Sequence, residues 1–160
     1  MIRDAMAEDL AAIMAIERAS FPTDAWSEEM MRQEVASPHG RYLVLEQAGN
    51  VVGYGGVRAL AGAKDGDVQT IALAESARGH GQGRALLHAL LQEAVARGVR
   101  EVFLDVRADN PVAQRLYLSE GFTEIGRRAR YYQPDDVDGI VMKLDAASWS
   151  ARDADGGVCS

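Results

Sequence analysis

At 160 residues and 48% hydrophobic content, the chain can build one domain around a full-sized core. Its 24 acidic and 17 basic residues leave a formal charge of −7, which argues against a nucleic-acid partner and suits a basic peptide or an amine. The one cysteine, Cys159, excludes an intramolecular disulfide and a thiolate metal cluster. Charged residues from Arg3 to Asp9 break any apolar leader and no window is long enough to span a membrane, so a cytoplasmic location is expected.

In chain order, Ile2 to Met6 reads as a short strand. Glu8-Asp9 open a helix whose apolar spacing (Leu10, Ile13, Met14, Ile16) runs to Phe21-Pro22. A loop follows to Trp26. Ser27 caps a second helix, with Glu28 and Glu29 at the positive end of its dipole, and Ser37 to Gly40 ends it. Arg41 to Gln47 and Val51 to Leu60 form a hairpin about Gly49-Asn50. After a small polar turn from Ala61 to Gly66, Asp67 to Leu73 is the next strand. The helix behind it carries Leu86, Leu87, Leu90, Leu91, Ala94 and Val95 on one stripe and stops at Gly98. Glu101 to Arg107 places Val102, Leu104 and Val106 on one face, Phe103 and Asp105 on the other. Asn110-Pro111 starts a further helix that carries Ala113, Leu116 and Tyr117 and ends at Gly121. Phe122 to Tyr132 and Ile140 to Leu144 read as a closing hairpin around the acidic turn 135–139. One domain over residues 1–145 is therefore expected, with residues 146–160 as a flexible tail. Hairpins first and alternating strands and helices later give an α/β (α+β) chain with a mixed sheet.

The stretch Thr70 to Leu91 organises the rest. Between its strand and its helix lies Arg78-Gly79-His80-Gly81-Gln82-Gly83-Arg84. The glycines let the backbone curl and turn several N–H groups inward, the helix adds its positive end, and the two arginines add full charges. That makes a site for phosphate or pyrophosphate. The Walker pattern fails, because Arg84-Ala85 stands where Lys and Ser or Thr are required. Arg84 also takes the third glycine position of a dinucleotide fingerprint. The pattern that fits is R-x-x-G-x-G, on Arg78, Gly81 and Gly83.

This loop resembles the acyl-coenzyme-A pyrophosphate loop of the GNAT N-acetyltransferases. Other motifs in the same order extend the resemblance over Ile2 to Leu144. They are Phe21-Pro22 with Trp26-Ser27-Glu28, Ile71-Ala72-Leu73, Leu104 to Asn110, Leu116-Tyr117, Gly121-Phe122, and Arg127-Arg128 with Tyr131-Tyr132. Together they look like the RimI type, the bacterial ribosomal-protein-alanine N-acetyltransferases. The resemblance implies a mostly antiparallel GNAT sheet flanked by helices, acetyl-CoA held where two strands splay, and no metal. It implies direct transfer of the acetyl group, through a tetrahedral intermediate, to the N-terminal amine (Ala first) of a small-subunit ribosomal protein. A monomer is expected.

By the same resemblance, Ile71, Ala72 and Leu73 offer backbone contacts to the acetyl and pantetheine arm, with an N–H near Leu73 facing the developing oxyanion. Gly79, His80, Gly81, Gln82, Gly83 and Arg84, with Arg78, would bind the pyrophosphate, and Asn110 the coenzyme. Helix capping explains Asn110 equally well. Tyr117 matches the family's general acid. At an unperturbed pKa of about 10 it stays protonated and can donate to a thiolate whose acid lies near about 8.5. Without the resemblance, its place in the apolar stripe reads as packing.

The family's base is a Glu, and this chain has Asp105 there. Its carboxylate is withdrawn by about 1.5 Å, a gap that one water can bridge. Asp67 is a second candidate, although a solvated strand end explains it too. His80 reads as a loop residue. An α-amine titrates near about 7.7–8.0 and a lysine near about 10.4, so deprotonating lysine costs about 3–4 kcal/mol more at neutral pH. A weakly placed base therefore suits an N-terminus. Asp24, Glu28 and the acids of 135–138 are candidates to receive a basic peptide, or are solvated loops. Two other readings stay open: a small-amine transferase, which a closed cleft between Trp26 and Tyr131 would favour, and a non-catalytic acyl-CoA sensor, which Asp105 alone supports.

Overall fold

A computed structural model describes residues 1–149. Its strands are β1 Ile2–Asp4, β2 Gly40–Gln47, β3 Asn50–Arg58, β4 Asp65–Leu73, β5 Glu101–Arg107, β6 Thr123–Tyr132 and β7 Val137–Asp145. The helices are α1 Leu10–Ser20, α2 Glu28–Ala36, α3 Gln82–Ala96 and α4 Pro111–Glu120. The strands form one sheet in the order β1-β2-β3-β4-β5-β7-β6. Every neighbour is antiparallel except β4 and β5.

Alternation along β2 splits the core between two faces. Leu43 and Leu45 pack with Leu86, Leu87, Leu90 and Leu91 of α3. Tyr42 and Val44 pack with Ile13, Met14 and Met31 of α1 and α2. Ser27 caps α2 as expected, accepting from the Met30 N–H at 3.1 Å.

The sheet opens between β4 and β5, and a bulge accounts for it. Gly56 faces Thr70 but Val57 faces Val68, so Gln69 is an extra residue on β4. A bulge bends its strand and ends pairing nearby. β4 pairs with β5 only over Asp65–Asp67, while β5 is seated along its whole length on β7. Past the bulge, the Ala74 N–H donates to the Val52 carbonyl at 2.8 Å. Antiparallel pairing alternates, so Ala72 and Ala74 bond to β3 and the N–H and C=O of Ile71 and Leu73 face the gap.

Three local expectations change. Gln82, Gly83 and Arg84 are the first turn of α3 rather than loop, because Gly81 at φ 78° is where the helix starts. The last turn is tighter than read, with Val137 to Gly139 already in β7. The tail expected to be flexible from residue 146 begins with a helical turn over 146–149, in which Ala146 and Trp149 are buried. The remainder of that tail, with Cys159, lies outside the described residues. No helix among the described residues is long and apolar enough to cross a membrane.

Candidate active site

Two clefts lie side by side along β4. The first, of about 520 Å³, is walled by Ile71, Ala72 and Leu73, by Arg78, Gly79, Gly81, Gly83 and Arg84, and by Asn110 and Tyr117 of the α4 side. His80 and Gln82, expected with them, are not part of this wall. Gly79 and Gly81 sit at φ 83° and 78°, left-handed values that other residues resist. They turn the chain so that the unpaired N–H groups of α3's first turn point at the cleft, with the positive end of the helix behind them. The Arg78 Nε donates to the Leu73 carbonyl at 3.2 Å, which ties its side chain to the end of β4. Arg84 is shared: it pairs with Glu120. The Asn110 side chain accepts from the Ala113 N–H at 3.1 Å, so it is a helix cap that also lines the cleft.

Tyr117 is buried, its ring edge-on to Phe122 with centroids 5.7 Å apart. Its hydroxyl has no hydrogen-bond partner among the described residues. Burial pushes its pKa up to about 12, so it holds its proton firmly at neutral pH.

The second cleft, of about 440 Å³, is walled by Asp67, Gln69, Phe103 and Asp105 from the splayed strands. Trp26 closes one side, with Arg128, Tyr131 and Tyr132 on the other. Both candidate bases thus face one cavity. Asp105 is held by the Arg128 Nε at 3.4 Å, and that guanidinium lies over the Tyr131 ring at 5.4 Å. Partial burial, then the charges of Asp105 and Asp65, raise the Asp67 carboxyl above its ordinary value. Asp67 nonetheless stands exposed near the start of β4, as a solvated strand end would. Tyr131 is 49% exposed and leaves the outer end of this cavity open.

The acids read either as candidates to receive a basic peptide or as solvated loops pair within the chain. Arg107 meets Asp24 at 3.4 Å, Asp109 at 2.9 Å and Asp135 at 3.0 Å, with Tyr132 beneath it at 5.3 Å. Thr23 donates to Asp135 at 2.6 Å. Asp138 accepts from the Arg130 N–H, and Glu28 pairs with Arg32. Sequence reasoning missed this Arg107 hub, and Phe103 and Gln69 as cavity walls. Only the alternation of β5, which puts Phe103 and Arg107 on the face of Asp105, could have pointed to two of them. Among the described residues no group of His, Cys, Asp or Glu side chains is arranged to hold a metal ion.

A glycine turn suited to phosphate thus lies beside a carboxylate-lined cavity at the splay of a mixed sheet. The chain belongs to the acetyltransferase (GNAT) family, which it matches over residues 10–122. It is 38% identical over 125 residues to the N-alpha-acetyltransferase RimI of Mycobacterium tuberculosis, covering 77% of each chain. Its fold is similar to the ribosomal-protein-S18-alanine N-acetyltransferase of Escherichia coli, with TM-score 0.81, 30% identity and coverage of 91% and 93%. A ribosomal-protein-alanine N-acetyltransferase from Brucella melitensis superposes with TM-score 0.78 at 28% identity, covering 91% and 99%. The mixed, mostly antiparallel sheet flanked by helices is the fold of these enzymes.

Proposed function

We propose that the chain moves an acetyl group from acetyl-CoA to the N-terminal amine of a small-subunit ribosomal protein, with Ala as the first residue. The observation that carries this reading is the pair of clefts along β4, one running from Ile71–Leu73 to the glycine turn at Arg78–Arg84 and the other lined by the two carboxylates Asp67 and Asp105. The names of the similar enzymes supply the acceptor.

Gly79, Gly81 and the first turn of α3, with Arg78, suit a pyrophosphate, and the gap-facing groups of Ile71 and Leu73 suit the amide-bearing arm of a coenzyme. The Leu73 N–H would donate to the thioester oxygen as negative charge gathers there. Asp67 and Asp105 outnumber Arg128 in the acceptor cavity, so the cavity draws in an ammonium. Asp105 then takes the amine proton through a water. The neutral amine would then attack the carbonyl carbon to give a tetrahedral intermediate; as its C–S bond breaks, Tyr117 would give its proton to the departing sulfur and recover one from the acylated nitrogen, which carries one too many. The open outer end at Tyr131 leaves room for the rest of a peptide, which favours this acceptor over a small amine.

The test is acetylation of a basic peptide beginning in Ala, with the modified nitrogen located by mass spectrometry. Acetyl on the α-nitrogen is expected. Modification of lysine side chains only, or of free small amines only, overturns the assignment.

A further inference from the structure

Glu17 stands at a position where the sequence pattern calls for an apolar side chain. Leu10, Ile13, Met14 and Glu17 form the inward stripe of α1, and all four are buried. Glu17 is 2% exposed, and no cation pairs with it among the described residues. Its carboxylate is met by neutral donors instead. The Trp26 N–H donates to Oε2 at 2.8 Å, and the hydroxyl of the fully buried Tyr54 donates to Oε1. The Tyr54 oxygen lies 3.4 Å from Thr70 Oγ1, one residue before Ile71 on β4. Burial raises the Glu17 carboxyl above its ordinary value, and nearby Asp24 adds to this. An acid kept in so unfavourable a place ties together α1, β3 and the loop between α1 and α2.

That loop bears on both clefts, with Phe21 in the wall of the first and Trp26 in the wall of the second. We propose that Glu17 is a positioning residue for acceptor binding: its carboxylate holds the Trp26 backbone, and with it one wall of the acceptor cavity, at a fixed distance from β4. The idea rests on reading that cavity as the peptide site. In Glu17→Gln the shape survives: the amide oxygen can still accept from the Trp26 N–H and the amide N–H can meet the Tyr54 oxygen, which accepts as well as donates, but the charge that strengthened both bonds is gone. The hold on Trp26 weakens, and the wall loosens without touching the cradle.

The experiment is steady-state kinetics of Glu17→Gln, Trp26→Ala and the double variant with one Ala-initiated basic peptide, beside acetyl-CoA binding measured directly. Glu17→Gln is expected to raise the peptide KM about tenfold while kcat stays within about threefold, the signature of lost uniform binding. Acetyl-CoA affinity should not change. Adding Glu17→Gln to Trp26→Ala should raise KM no further, because both act through the same wall. An unchanged KM, a loss confined to kcat, or full additivity overturns the proposal. If Glu17→Gln does not fold, Tyr54→Phe removes one donor from a position that accepts the ring. A smaller KM rise supports the idea and an unaltered KM overturns it. Wild type that binds acetyl-CoA but acetylates no N-terminal peptide fails the reading of the cavity itself, and the proposal with it.

Discussion

Tyr117 serves two environments at once: its ring fills the core beside Phe122, and its residue lines the first cleft. Tyr117→Phe keeps the ring and removes the proton. Turnover should fall by a factor on the order of 10²–10⁴ with Tm almost unmoved, because the hydroxyl bonds to nothing among the described residues. Normal turnover would leave Tyr117 as packing alone. Asp105 permits a sharper trial, since one methylene separates it from the glutamate that the family resemblance leads one to expect there. Asp105→Glu should hold or raise the rate by reaching the amine directly, while Asp105→Asn keeps the shape and removes the basicity. The deficit of Asp105→Asn should shrink above about pH 8, where an α-amine arrives already neutral. Initial rates between about pH 6.5 and 9 decide it. Equal rates for wild type and Asp105→Asn throughout would shift the role to Asp67, whose carboxyl is raised above its ordinary value.

Among the elements, the turn into α3 is where sequence and structure meet most closely. Gly83 lies in the helix, and a Cβ there would meet only the Leu73 and Leu116 side chains, at 3.7 and 3.8 Å. Those are ordinary contacts, so the backbone should tolerate Gly83→Val. The branched methyls, though, would stand between β4 and α4, in the wall of the cleft. Acetyl-CoA affinity should drop at least about tenfold (~1.4 kcal/mol) with little change in Tm, by calorimetry and thermal melting. Undiminished affinity would remove the cradle assignment. This turn was legible because its signal is local: glycines, flanking arginines and a periodic helix within one short stretch. The bulge at Gln69 was not, since an extra residue exists only relative to the register of β3. Nor was the fate of Asp24 and Asp135, whose partner Arg107 comes from a distant strand.

At the scale of the whole molecule, the end of the described chain belongs to the core. Trp149 is 4% exposed, packs edge-on against His88 at 5.6 Å, and donates its Nε1–H to Glu120 at 3.2 Å. Composition misled here, because small and polar neighbours outvote one aromatic in any reading of residues 146–160. Trp149→Ala should cost about 3–5 kcal/mol, as other buried aromatics do, and lower Tm by roughly 10 °C. A melting point within about 2 °C of wild type would mean that this turn contributes little to the fold. Glu120 also holds Arg84 beside the cradle, so the same variant should weaken acetyl-CoA binding slightly rather than abolish it.

The seating of β5 has a consequence for the order in which the enzyme is made. β5 touches β4 over three residues and rests on β7 along its full length, yet β7 is synthesised after β5, α4 and β6. Every residue of the first cleft has emerged by Tyr117, whereas the second still awaits Arg128, Tyr131, Tyr132 and Val141. A growing chain therefore completes the lining of the first cleft before that of the second, and Asp105 gains a firm support only when the closing hairpin returns. Loss of the closing hairpin, by premature termination or proteolysis, would leave a fragment with all the residues of the first cleft but without the Arg128, Tyr131 and Tyr132 side of the second.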